Sequence, residues 1–199
     1  MKKLIKSLVV IMFMLMITGC RENASNETAN YRPQDLFNLI ERTYENLDEE
    51  IPVTEEMEIT NREEMLRRTG LRSADNIEYM VASQAMISVF PYTMVLIKVD
   101  NDANIDAMKQ EIYDNIDFNY WICVGADKAI ITNFGSVIML VMGSEEQAGL
   151  IYAEFDRVTG NLGETLVRIN DQAGFDDGFN GGFDLGEDAL YEEDELTHE

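Results

Sequence analysis

Hydrophobic positions recur along this chain with two periods, and the switch between them marks out the elements. Leu36, Ile40, Tyr44 and Leu47 fall on one face of a helix, with Glu41, Arg42 and Glu45 around the other side. Pro33 suits the entry to that helix, where its missing N–H and fixed φ cost nothing. A second, short helix is predicted over residues 61–69. Thr60 and Glu63 have capping-box spacing ahead of it, and Gly70 supplies a stop. Between the two helices, residues 48–58 hold six acids and no base, which predicts a solvated loop with a short extended piece at 57–59.

Strand patterning follows. Ile77, Tyr79 and Val81 alternate with more polar neighbours, and the pattern then becomes a nearly continuous apolar run to Val99, interrupted by Pro91. A proline there marks a turn between two strands. Ile105, Met108, Ile112 and Ile116 return to helical spacing. A second cycle starts at Asp127. Residues 129–133 and 136–142 read as strands joined at Phe134-Gly135, Ser144 and Gln147 form another capping box, and Ile151, Phe155 and Val158 give a helical stripe that Gly160 ends. The two cycles align without a gap at an offset of 44, with Ala85 over Ala129 and Leu96 over Leu140. The expected fold class is α+β: two β-β-α units forming a largely antiparallel sheet, preceded by two N-terminal helices. The two later helices are expected on one face of that sheet. The strand at 136–142 is apolar at every position after Ser136, as in a strand buried on both faces. If the early helices leave the second face open, Met94, Met139 and Met142 contribute instead to an exposed, adaptable binding surface.

The first twenty residues follow a different logic. Lys2, Lys3 and Lys6 precede an unbroken apolar run from Leu8 to Ile17. Ten residues are too few for a membrane span, which needs about 20, but suit the apolar region of a signal peptide. The run ends in Ile17-Thr18-Gly19-Cys20, which resembles a bacterial lipobox. In lipoproteins of that kind the cysteine thiol carries diacylglycerol and the signal is cut before it. The resemblance implies lipidation at Cys20 and acyl chains that hold the mature chain at a membrane. Each buried CH₂ adds about 0.8 kcal/mol to such an anchor. The expected division is a signal peptide at 1–19, a flexible tether at 20–32, an α+β domain at 33–160 and an acidic, Gly/Phe-containing disordered tail at 161–199. Within that tail, residues 165–169 have the pattern of a strand able to dock at a sheet edge.

Charge refines this division. The chain carries 38 acids against 15 bases, a formal net charge of −23. Residues 33–160 hold 24 acids and nine bases, and residues 161–199 hold twelve acids and one base. No basic stripe is left to follow a phosphate backbone, so nucleic acid is not an expected partner. The single histidine, His198, is the penultimate residue, which removes Ser-His-Asp and Cys-His catalysis and histidine-based metal sites from the domain. With Cys20 consumed by lipid, Cys123 stands alone in an apolar setting, Tyr120-Trp121-Ile122-Cys123-Val124, as a small buried hydrophobe. Glu63-Glu64 and Glu145-Glu146 sit where helices begin, and there acids oppose the helix dipole favourably. Residues 176–184 offer oxygen ligands among glycines but do not match a calcium-binding loop. No phosphate-binding, dinucleotide or nucleophile-elbow motif occurs.

Residues 35–158 resemble a domain of unknown function found in short lipoproteins of Gram-positive anaerobes. The resemblance is carried by Leu36-Phe37-Asn38-Leu39-Ile40, the acid-rich link, the strand ending in Leu96-Ile97-Lys98-Val99-Asp100, the helix at 104–117 and the final hairpin and helix at 128–157. After the central helix the chain departs from that family, with Asp117-Phe118-Asn119-Tyr120-Trp121 in place of a more basic stretch. No catalytic residue or cofactor is implied. The expectation is a lipid-anchored, extracytoplasmic, non-enzymatic protein of the bacterial envelope, binding an envelope protein or serving as an accessory module. The alternatives are a small carboxylate-dependent hydrolase and a solute-binding accessory of a transporter.

Overall fold

The computed structural model describes residues 28–47, 52–85, 90–121 and 124–171. The chain runs through α1 (Pro33–Tyr44), β1 (Val53–Met57), α2 (Arg62–Thr69), β2 (Ile77–Gln84), β3 (Thr93–Val99) and α3 (Ile105–Asn115). It continues through β4 (Lys128–Phe134), β5 (Val137–Gly143), α4 (Glu145–Thr159) and β6 (Leu166–Ile169). The strands form one antiparallel sheet in the order β1-β2-β3-β5-β4-β6. The fold is α+β.

Local chemistry sets the helix ends. The Ser144 hydroxyl accepts the Gln147 N–H at 3.2 Å, and Asn104 Oδ1 accepts the Ala107 N–H at 3.1 Å. Asp35 reaches back to the Arg32 N–H at 2.8 Å ahead of Pro33. At α2 the cap is Asn61, one residue later than expected, and its Oδ1 accepts the Glu64 N–H at 3.2 Å. The Thr60 hydroxyl donates instead to Glu58. The extended piece after the acidic loop is β1 at Val53–Met57, earlier than 57–59.

Every residue of β3 and β5 is buried, so the sheet is covered on both faces. Val95, Ile97, Val99, Ile138, Leu140 and Met142 point to one face, where Met65 of α2 and Ile112 of α3 pack on them. Met94, Leu96, Val137, Met139 and Val141 point to the other, beneath Leu36, Leu39 and Ile40 of α1 and Ala148, Ile151 and Phe155 of α4. The expectation of both later helices on one face is therefore overturned, and α3 and α4 lie on opposite faces. Met94, Met139 and Met142 are fully buried and form no exposed methionine surface.

The reason lies in the connections. α3 joins β3 to β4 across β5, and α4 joins β5 to β6 across β4, and each crossover links parallel strands. Both step the same way across the sheet, but β5 runs opposite to β3. Crossovers of one hand, the rule for such connections, must then place their helices on opposite faces. The offset of 44 carries β3 onto β5 with the faces exchanged: Leu96 faces α1 and α4, while Leu140 faces α2 and α3. It does not carry β2 onto β4. β2 ends at Gln84, and Ala129, which aligns with Ala85, lies inside β4.

The fold also exceeds both expected boundaries. Residues 166–169 form the edge strand β6, so the domain does not end at Gly160. At the other end, Thr28, expected in the tether, is fully buried and its hydroxyl accepts the Ser136 N–H at 2.7 Å. Two buried lysines are held by partners, as buried charge requires. Lys98 Nζ donates to the Val99 carbonyl at 2.7 Å and pairs with Glu78 at 3.3 Å. Lys109 Nζ donates to Asn133 Oδ1 and the Glu164 carbonyl, both at 2.9 Å, and pairs with Asp106 at 3.0 Å.

Candidate functional site

Polar chemistry concentrates where α2, the start of β3 and the segment after α3 meet. The last turn of α2 carries Arg67 and Arg68, favourably placed against the negative end of the helix dipole. Arg68 is only 4% exposed. Its Nη1 reaches Glu55 of β1 and Glu64 of α2, each at 3.2 Å, and its Nη2 donates to Gln84 Oε1 of β2 at 2.9 Å. Gln84 Nε2 returns to Glu55 Oε1 at 3.2 Å. One guanidinium thus ties a helix to two strands, using the planar fork that lysine lacks.

Across the sheet from Gln84 lies Thr93, fully buried at the first position of β3. Tyr120 arrives from the segment after α3 and packs on the same core face. Trp121 stacks on it, with centroids 3.9 Å apart and planes 27° from parallel. The Arg67 guanidinium sits 5.7 Å from the Tyr120 ring centroid. Burial pushes the Tyr120 phenol above its ordinary value of 10, opposed by a hydrogen bond with the Thr93 hydroxyl and by the charges of Arg68 and Arg67. Gly70 permits this meeting. A Cβ there would lie 2.9 Å from the Ile116 nitrogen and 3.0 Å from the Asn115 carbonyl carbon, so α2 ends in direct contact with the end of α3.

Arg68 Nε has no hydrogen-bond partner among the described residues, and the buried Thr93 and Tyr120 hydroxyls have none but each other. Ser83 Oγ also lacks a partner there, but Ser83 is paired with Met94 and belongs to the opposite face. Each buried group left without a partner costs about 1–3 kcal/mol. The Thr93 and Tyr120 hydroxyls also accept, so each serves as the other's partner.

Sequence reasoning did not single out this corner. Tyr120 and Trp121 entered as the apolar setting of Cys123 and as part of the stretch at 117–121, and Arg68 not at all. Cys20, the expected lipidation site, lies outside the described residues, as do Cys123 and residues 176–184. Glu63-Glu64 and Glu145-Glu146 occupy the first turns of α2 and α4, and Glu145 pairs with Lys128 at 3.6 Å. No group of three or more His, Cys, Asp or Glu gathers for a metal among the described residues. No helix among them is long and apolar enough to cross a membrane. Compared with protein-family models, curated proteins and solved structures, the chain finds no match.

Proposed function

We propose that the protein is a lipid-anchored, extracytoplasmic binding module of the bacterial envelope and not an enzyme. One observation carries this reading: the order of basic residues, ten apolar residues, two small residues and Cys20 at the start of the chain. Acyl chains on Cys20 hold the domain at the outer side of the membrane. Residues 33–160, with fifteen more acids than bases, are repelled by anionic headgroups and stand away from the surface. The resemblance to short lipoproteins of Gram-positive anaerobes agrees with this placement. We also read the domain as two β-β-α units after two N-terminal helices. The chain order β2-β3-α3 and β4-β5-α4 supports that reading.

Expression of the chain in a Gram-positive host with a fatty-acid analogue tests the anchor. The wild-type protein takes up label and partitions with membranes. Cys20→Ala takes up none and is found in the soluble or unprocessed fraction. Labelling that survives Cys20→Ala refutes the reading.

A further inference from the structure

We infer that the Lys109 amine joins the Asn133 side-chain amide in an isopeptide cross-link, with Asp106 as the carboxylate that moves the protons. The bond ties α3 to β4 inside the domain and forms whether or not Cys20 carries lipid.

Three side chains meet at one nitrogen. Lys109 is 1% exposed, and its Nζ lies 2.9 Å from Asn133 Oδ1 and 3.0 Å from Asp106 Oδ1. The Glu164 carbonyl, also at 2.9 Å, is its third acceptor. The amide is held as firmly as the amine. Asn133 Nδ2 donates to the Gly135 carbonyl at 3.0 Å, which fixes the direction of the group. Gly163 closes over it, since a Cβ there would overlap Oδ1 and lie 2.9 Å from Cγ. Cγ is one C=O bond, about 1.2 Å, from the oxygen that Nζ touches. A small swing of the flexible lysine stem brings Nζ to a separation of about 3–3.5 Å from Cγ, where reacting atoms are poised to bond.

Lys98 marks the contrast. It is equally buried and pairs with Glu78 at 3.3 Å, but its other acceptor is the Val99 main-chain carbonyl. Attack there would cut the chain. Asn133 presents an amide whose nitrogen is free to leave. The product also removes a charge from the interior, where an ammonium is costly even when paired.

The step balances without a co-reactant. Asp106 takes one proton from the ammonium, and the freed Nζ lone pair forms a bond to Cγ. The proton on Asp106 and a second proton from Nζ pass to Nδ2, the Cγ–Nδ2 bond breaks, and the nitrogen leaves as ammonium. Nothing is oxidised or reduced. The Asp106 side chain is 78% exposed, so the site borders water on the side where ammonium is released.

Peptide mapping tests the bond. The full-length protein is held folded until its mass is constant, then denatured and digested with trypsin, which cannot cut after an acylated lysine. Residues 99–128 are expected joined to residues 129–157, about 17 Da below the sum of the two peptides for the ammonia lost. The lipid at Cys20 lies on neither peptide. Asp106→Asn leaves Lys109 its Asn133 and Glu164 contacts, so it is expected to fold with wild-type circular dichroism and to give residues 99–109 and 129–157 as separate peptides. Separate peptides from folded wild-type protein overturn the proposal. So does a loss of ammonia confined to Asn180-Gly181, a sequence that cyclises without help, or a cross-link of equal extent in Asp106→Asn.

Discussion

A chain ending at Gly160 melts about 10 °C below one ending at Asp171. The eleven residues between them include β6, which closes the sheet against β4 from Lys128↔Ile169 to Ile131↔Leu166. They also carry three ties to other elements. Arg168 Nη1 donates to the Tyr113 carbonyl at 2.7 Å and the Ile116 carbonyl at 3.3 Å, satisfying carbonyls at the end of α3. Asn170 donates through its side chain to the Ala126 carbonyl at 3.0 Å and through its N–H to the Asp127 carbonyl at 2.8 Å. The Glu164 carbonyl accepts from buried Lys109. Each net hydrogen bond contributes about 1 kcal/mol, and buried Lys109 is left with Asn133 and Asp106 alone, so the loss is about 3 kcal/mol or more. The truncation also turns β4 into an open edge whose Ala129, Ile130 and Ile131 invite pairing between chains. Thermal unfolding of the two truncated chains, followed by circular dichroism, measures the difference. Midpoints within about 2 °C of each other would contradict the placement of β6.

The same strand shows where sequence patterning reaches its limit. The pattern of residues 165–169 is that of a docking strand, but it is short and sits in a glycine- and acid-rich stretch. Its ties are made by its own Arg168 to carbonyls at the end of α3 and by the distant Lys109 to the Glu164 carbonyl, and both side chains are silent in hydropathy. Longer elements were legible. β3, β5 and α4 announce themselves by continuous apolar runs or a stripe ended by Gly160. A stripe, however, specifies that a helix is buried, not which sheet face it covers. That information lies in strand direction and crossover hand, so α3 and α4 were expected together and are found apart. The Asn61 cap was missed by one residue because Thr60 and Asn61 are both competent caps, and the choice between them falls to the turn made with Glu58.

The candidate site was the least legible feature. Arg68 reads in the sequence as an ordinary basic residue in a helix's last turn. It becomes distinctive only because β1 and β2 bring Glu55 and Gln84 onto it, and because Gly70 lets α3 and then Tyr120 approach. Contacts among Arg68, Thr93 and Tyr120 carry no sequence signature, since the three come from separate elements. The adjacent aromatic pair Tyr120-Trp121 was the one available signal.

Gly70→Ala and Gly160→Ala isolate that approach, because the two glycines share a conformation and differ in their surroundings. Both end helices with left-handed backbone, φ of +79° and +70°. An alanine in that region costs roughly 1–2 kcal/mol wherever it stands. At Gly160 nothing lies within 4 Å of the new Cβ, so that cost is the whole effect. At Gly70 the methyl meets the Ile116 nitrogen at 2.9 Å, the Asn115 carbonyl carbon at 3.0 Å and the Ile112 carbonyl oxygen at 3.1 Å. All three are backbone atoms, and a side-chain rotation cannot relieve the contact. The Ile112 carbonyl is also engaged with the Ile116 N–H at 2.9 Å, so any shift breaks the last turn of α3. Gly70→Ala is therefore expected to cost about 3 kcal/mol or more. Urea unfolding at unchanged slope reads both values as midpoint shifts. Gly70→Ala should also alter the native fluorescence of Trp121, since α2 and the segment after α3 are forced apart, whereas Gly160→Ala leaves it as in wild type. Equal destabilisation by the two substitutions would mean that α2 and α3 do not meet as closely as the structure places them, and that the corner of Arg68, Thr93 and Tyr120 built on their contact is not formed.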